Sequence, residues 1–236
     1  MKKLVTLTLS LLITINASFV FAEGELNTPP EGFTALFNGK DLTNWRGLVG
    51  NGNPYALEEM SKEERAKAQA EADKLMNEHW SVKEGVLLFD GKGKSLCSAK
   101  DYGDFELYVD WKIEPEGDSG IYLRSTPQVQ IWDTEFPGYF KHGAEKGSGS
   151  LWNNKDHERF PLVKADNPVG EWNTFHIIMR GEKVTIYLND KLVADDVVLE
   201  NYWKKDGSPV IEKGAIELQN HGNTLYFRNI YVKELN

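Results

Sequence analysis

The sequence predicts an all-β protein: a sandwich of two antiparallel sheets of the jelly-roll kind, with one inserted α-helix. Three observations carry that prediction. About a dozen short segments alternate apolar and polar residues with the period of a strand, separated by Gly, Asn, Asp or Pro. One segment, residues 61–78, lacks Gly and Pro and is rich in Ala, Glu, Lys and Gln, which is helical composition. The signatures of other architectures, G-x-G-x-x-G, the P-loop, H-E-x-x-H and G-x-S-x-G, do not occur. Neither an internal repeat nor a low-complexity tract is found.

Taken in order, the chain opens on Lys2 and Lys3, an uncharged apolar run over 4–20, and then Val20-Phe21-Ala22. That is the pattern of a secretory signal peptide, residues 1–22, cleaved after Ala22. The expectation is an exported protein, periplasmic or extracellular, with a single domain over 23–236 and no membrane span after signal removal. Residues 32–38 read as a first strand, ended by the turn signal Asn38-Gly39-Lys40-Asp41. Ser61 with Glu64 forms a capping box, and Ala68, Ala72, Leu75, Met76 and His79 recur at helical spacing. The helix serves either to cover a sheet edge or to wall a groove. Strands then follow at 80–83, 86–90, 95–99 and 104–113. In the last, Phe105, Leu107, Val109 and Trp111 face the core, and Glu106, Tyr108 and Asp110 face away.

The stretch D-S-G-I-Y-L-R-S-T-P-Q-V-Q-I-W-D (118–133) departs from ordinary sheet chemistry. Read as strands 121–124 and 128–132, it places Tyr122, Arg124, Gln128, Gln130 and Trp132 on one face, opposite the apolar Ile121, Leu123, Val129 and Ile131. Such faces usually carry Thr, Lys and Glu. Aromatic rings, amides and a guanidinium instead stack on flat ligands and hydrogen-bond hydroxyls, which is the chemistry of a carbohydrate groove. Asp110 is expected to pair with Arg124, either beneath a ligand or as a structural ion pair.

Residues 134–168 form a long segment with little apolar periodicity, containing Trp152, His142 and His157. A loop of that length in a compact domain usually frames a site. The two histidines lack the tight spacing of a metal motif. Strands return at 171–180, 183–188, 191–194, 214–221 and 225–234, with a further loop at 201–209. In 214–221, Gln219 and His221 share a face next to Gly222. Trp111 and Trp172 are expected in the core.

Seven ordered motifs resemble the 3-keto-disaccharide hydrolase family: G-F-T-A-L-F-N-G-K-D-L-T-N-W (32–45), W-S-V-K-E-G-V-L (80–87), Y-G-D-F-E-L (102–107), D-S-G-I-Y-L-R (118–124), V-Q-I-W-D (129–133), G-E-W-N (170–173), and I-E-L-Q-N-H-G with F-R-N-I (216–222, 227–230). The resemblance implies a concanavalin A-like jelly roll. It also implies activity on 3-keto-glycosides, by hydrolysis or by lyase/hydratase chemistry. Many relatives carry Glu shortly before the Q-I-x-D motif, where this chain has Gln128; if that Glu is the base there, this chain needs another base or is a different enzyme. The reaction needs a base near C2, donors or a cation for an enolate, and an acid for the leaving group. His221 or Asp110 is the expected base, with Arg124 and Gln130 positioning the keto sugar or stabilising the enolate. Tyr122, Gln128, Trp132, Asp133, Gln219 and Trp152 complete the expected binding surface. A divalent metal would serve the enolate well, and metal use is left open. Asp133 has the alternative of capping a turn, His221 of ending a strand, and Trp132 of joining the core if the register slips by one residue.

A formal charge of −9, more negative once the leader is removed, argues against nucleic acid and anionic membranes. The partner expected is a small-molecule carbohydrate. Cys97 is the one cysteine, which excludes an internal disulfide, and it reads as a small buried hydrophobe. The competing class is a non-catalytic, lectin-like binding module, because this fold serves both.

Overall fold

The computed structural model describes residues 25–236; the predicted signal segment, residues 1–22, lies outside the described residues. Along the chain the strands are β1 (Thr34–Ala35), β2 (Trp45–Gly47), β3 (Trp80–Lys83), β4 (Val86–Asp90), β5 (Leu96–Ser98), β6 (Phe105–Ile113) and β7 (Asp118–Tyr122). They continue as β8 (Gln128–Trp132), β9 (Asn173–Arg180), β10 (Lys183–Leu188), β11 (Lys191–Val198), β12 (Glu217–Leu218) and β13 (Thr224–Glu234). Two helices, α1 (Pro54–Glu58) and α2 (Lys62–His79), separate β2 from β3.

The strands build two antiparallel sheets packed face to face, the jelly-roll sandwich that the alternation predicts. The larger runs β11-β10-β9-β6-β13-β4-β3 with β1 beside β13, and the smaller runs β2-β5-β12-β7-β8. Strand β6 shows why they pack. Phe105, Leu107, Val109, Trp111 and Ile113 all point inward and are at most 4% exposed. Phe175 and Ile177 join them from the larger sheet, while Ile121, Val129, Ile131 and Leu218 answer from the smaller one, in one apolar core.

Helix α2 begins where the capping box predicts. The Ser61 side chain accepts from the Glu64 amide, and the Glu64 carboxylate accepts from the Ser61 amide. Of the two roles expected for it, the helix takes edge cover. Asp73 accepts a hydrogen bond from the amide of Gly47 in β2, and Gln69 donates to the Gly47 carbonyl. A sheet edge left open would be a template for another chain, and these two side chains occupy it. Gly47 permits the contact, because a Cβ there would fall 2.1 Å from the Ala72 carbonyl oxygen.

Several boundaries differ from expectation. The first strand contracts to two residues, β2 and α1 were not anticipated, and β11 runs on to Val198. Trp172 is not a core residue. It lies half-buried on the outer side of the larger sheet with the Arg228 guanidinium 4.1 Å above its ring. No helix among the described residues is long and apolar enough to cross a membrane.

Candidate functional site

The polar face of the smaller sheet is set by cross-strand register. Tyr122 of β7 pairs with Gln128 of β8 and with Glu217 of β12, Gly120 pairs with Gln130, and Asp118 pairs with Trp132. These residues share parity and point away from the core. Gly120 is what lets the glutamines lie flat, since a Cβ there would stand 2.4 Å from Gln128 Nε2. Gln128 and Gln130 are 2% and 3% exposed, so they form the floor rather than the accessible surface.

Their amides are oriented by a continuous hydrogen-bond chain. Gln128 Nε2 donates to Gln219 Oε1 at 2.8 Å and to Gln130 Oε1 at 2.9 Å. Gln130 Nε2 in turn donates to Asp118 Oδ1 at 2.7 Å. Asp118 Oδ2 lies 3.4 Å from Nδ1 of the exposed His221. At the other end, Gln219 reaches the Tyr122 hydroxyl at 3.5 Å. The hydrogen-bonded chain therefore runs Tyr122–Gln219–Gln128–Gln130–Asp118, with His221 at ion-pair distance beyond it. Burial raises the Asp118 carboxyl above the ordinary carboxylate range, with His221, Gln130 and His142 pulling it back. Burial likewise pushes the Tyr122 hydroxyl well up, aided by Glu217, so it keeps its proton.

The 134–168 segment frames this floor, as its length suggests. Its Gly149–Trp152 portion runs along the open edge of β8, with Gln130 donating to the Ser150 carbonyl. Trp152 stands edge-on to both Trp132 and His142, each with ring centroids 5.6 Å away. Tyr139, whose hydroxyl donates to the Glu116 carbonyl, feels the Asp118 charge as well. The structure thus brings together Tyr122, Gln128, Gln130, Gln219, His221 and Trp152. Asp118 and Tyr139 were missed. Asp118 could have been found by starting the strand at 118 rather than 121, because 118, 120 and 122 share one face.

Four expected site residues lie elsewhere or are already occupied. Arg124 was placed beside Tyr122 on the assumption that the strand continues. The strand stops at Tyr122, and Arg124 and Ser125 take positive φ (50° and 64°), which turns the guanidinium off that face. Arg124 is 3% exposed and donates to the Glu212 carbonyl at 2.9 Å and to the Gly181 carbonyl. Burial lowers its pKa, with Asp104, Glu182 and Glu212 opposing. Asp110 is not paired with Arg124. It sits on the outer side of the larger sheet, bound by Thr174, Arg228 and Asn229. Asp133 takes the turn-capping alternative, accepting from the backbone amides of Glu116, Glu135 and Phe136. Trp132 keeps the glutamine side without any register slip, yet it is 3% exposed, and its indole donates to the Gly147 carbonyl under the framing loop.

The Arg124 correction carries a prediction. Arg124→Met removes the buried guanidinium's hydrogen bonds to the Glu212 and Gly181 carbonyls and is expected to cost roughly 1–3 kcal/mol of stability, read by urea denaturation. Activity per folded molecule should stay close to wild type. A kcat loss at unchanged stability would return Arg124 to the site.

A second carboxyl on the same face also went unassigned. Glu217 is 6% exposed and lies near Gly52, whose loop covers it; burial pushes its pKa up to about 7, with a hydrogen bond from Ser95 opposing. Cys97, in register with Glu217, is buried and its thiol is raised by that burial. Among the described residues no three His, Cys, Asp or Glu side chains are grouped to share a metal ion.

Comparison with known proteins agrees with this architecture. A 3-keto-disaccharide hydrolase of Bacteroides thetaiotaomicron is 24% identical, over 89% of this chain and 81% of its own. Two crystal structures of candidate glycosyl hydrolases from Parabacteroides distasonis share the fold. One has a TM-score of 0.66 at 21% identity, covering 90% of this chain and all of its own. The other has a TM-score of 0.60 at 23% identity, covering 87% and 85%. The model of the 3-keto-alpha-glucoside-1,2-lyase-like domain matches residues 32–233, which takes in both sheets and every residue of the hydrogen-bonded chain, and the protein belongs to that family.

Proposed function

We propose that the protein is an exported carbohydrate-active enzyme that cleaves 3-keto-glycosides, with His221 as the base. The hydrogen-bonded chain that ends at Asp118, with His221 Nδ1 at ion-pair distance 3.4 Å beyond it, carries the reading. Family membership and the 3-keto-disaccharide hydrolase among the relatives support the substrate class.

The chemistry follows from the substrate. A ketone at C3 acidifies the hydrogen on C2. With Nδ1 of His221 directed to Asp118, Nε2 is left to take that proton. The C–H electron pair becomes the C2=C3 enolate. Collapse of the enolate forms C1=C2 and breaks the C1–O bond; the leaving oxygen departs with its electron pair and is protonated. Water added across C1=C2 then gives the free 3-keto sugar, a net hydrolysis. Tyr122, held protonated, and the Gln219 amide offer donors to the oxyanion. Gln128 is suited to the floor because its amide donates to two neighbouring glutamine oxygens, which an ionised Glu could not do.

The test is incubation with a 3-keto-glucoside carrying a chromogenic aglycone, beside the unoxidised glucoside. Release from the keto compound alone is expected, and a parallel sample with chelator decides whether a divalent metal assists. Glycan binding without release, divalent metals included, would make the protein a binding module instead.

A further inference from the structure

Beside the polar floor lies a cavity of about 780 Å³ between residues 152–159 and 198–209. We infer that this cavity is the subsite for the leaving half of the substrate and that it selects an anionic group there, a carboxylate on a sugar or aryl aglycone. The inference rests on the proposed cleavage at His221 and adds the charge of the substrate's other half.

Continuity with the floor is covalent and hydrogen-bonded. Trp152 donates through its backbone amide to the Gln128 carbonyl at 3.2 Å, and the Asn153 side chain accepts from the Gln128 amide at 2.8 Å. Both residues also line the cavity. Trp152 therefore divides two compartments, with Trp132 and His142 at its edges and the Arg159 guanidinium 4.1 Å over its ring. Tyr202 stands on the opposite wall.

The charge of the cavity is uneven in how it is used. Arg159 is half-buried, and its Nε is fully buried with no hydrogen-bond partner. Lys155 and Lys205 line the same wall and form no ion pair among the described residues, while Lys204 stacks on Tyr55 at 4.1 Å. Three acids, Asp156, Glu182 and Glu200, line it too. Glu200 is already committed: it accepts from the backbone amides of Lys155, Asp156 and His157, as well as facing His157 Nδ1. A guanidinium 4.1 Å over an indole, with no ion pair among the described residues, is set to fork onto an incoming carboxylate.

The experiment compares two 3-keto-glucosides, with 4-carboxyphenyl and 4-carbamoylphenyl aglycones, in the full-length protein and in Arg159→Gln and Arg159→Lys. Their kcat/KM ratio is read within each protein, so the intrinsic leaving-group difference cancels between proteins. The ratio should fall about tenfold in Arg159→Gln, and by less in Arg159→Lys, which keeps the charge without the fork. An unchanged ratio in Arg159→Gln overturns the inference. If neither compound is cleaved, the function reading fails separately. The subsite is then decided by calorimetry with 4-carboxyphenyl glucoside: roughly tenfold weaker binding to Arg159→Gln than to wild type supports it, and equal or undetectable binding overturns it.

Discussion

Replacing His221 by Asn is expected to lower kcat on a 3-keto-glucoside by about 100- to 10,000-fold, the usual worth of a positioned general base. Affinity for the sugar should change by no more than a few-fold, because the floor that receives it is built from Tyr122, Gln128, Gln130 and Gln219. The carboxylate behind the base makes a second, separable prediction. Asp118 touches His221 and Gln130 rather than the reacting carbon, so it acts by holding the imidazole in one tautomer. Its ionised form is the one that does so. Burial raises its pKa, which weakens its hold on the imidazole as pH falls, and Asp118→Asn should lower kcat on the 3-keto-glucoside while leaving sugar affinity within a few-fold of wild type. Full activity in a folded His221→Asn protein would remove the base from this site altogether.

Glu217→Gln is expected to stabilise the protein at pH 8 by roughly 2–3 kcal/mol. In the folded protein the carboxyl holds its proton up to about pH 7, against an ordinary value of 4.5, because it is enclosed with little besides Ser95 to solvate the charge. Between those two values the native state binds a proton that the unfolded chain has released. The contribution is therefore fully present below pH 4.5 and is lost as pH rises through about 7. An amide of the same shape carries no such penalty. Urea titrations of both proteins at pH 5 and pH 8 give the answer as a difference of differences, in which the buried carboxyls of Asp118 and Asp166 are common to both proteins. Parallel pH profiles would mean that Glu217 is hydrated in the folded protein.

Both residues show where reading a sequence stops. Spacing alone puts Gln219 and His221 on one face, and Glu217 shares it. Which of them is sealed and which is open depends on the loop containing Gly52, which reaches across from a distant part of the chain. Asp118 was overlooked for a local reason: β7 was started three residues late, at Ile121. Arg124 was misplaced for the complementary reason, since β7 ends at Tyr122 and the alternation rule was carried two residues past the strand.

By itself the sequence determined the two-sheet sandwich, the inserted helix with its Ser61 cap, the inward set of β6, the glutamine row of β8 and the loop that frames it. Each of these follows from interactions between residues close in the chain, where period and capping chemistry decide the outcome. Tertiary structure alone decided that Asp110 faces outward on the larger sheet with Arg228, that Asp133 spends its lone pairs on a turn, and that Asp118 meets His221. The Asp110–Arg228 pairing joins residues 118 positions apart, and Asp118 and His221 are similarly distant in the chain. Strand order and register set such distances, and a side chain's parity says which way it points without saying what waits for it there.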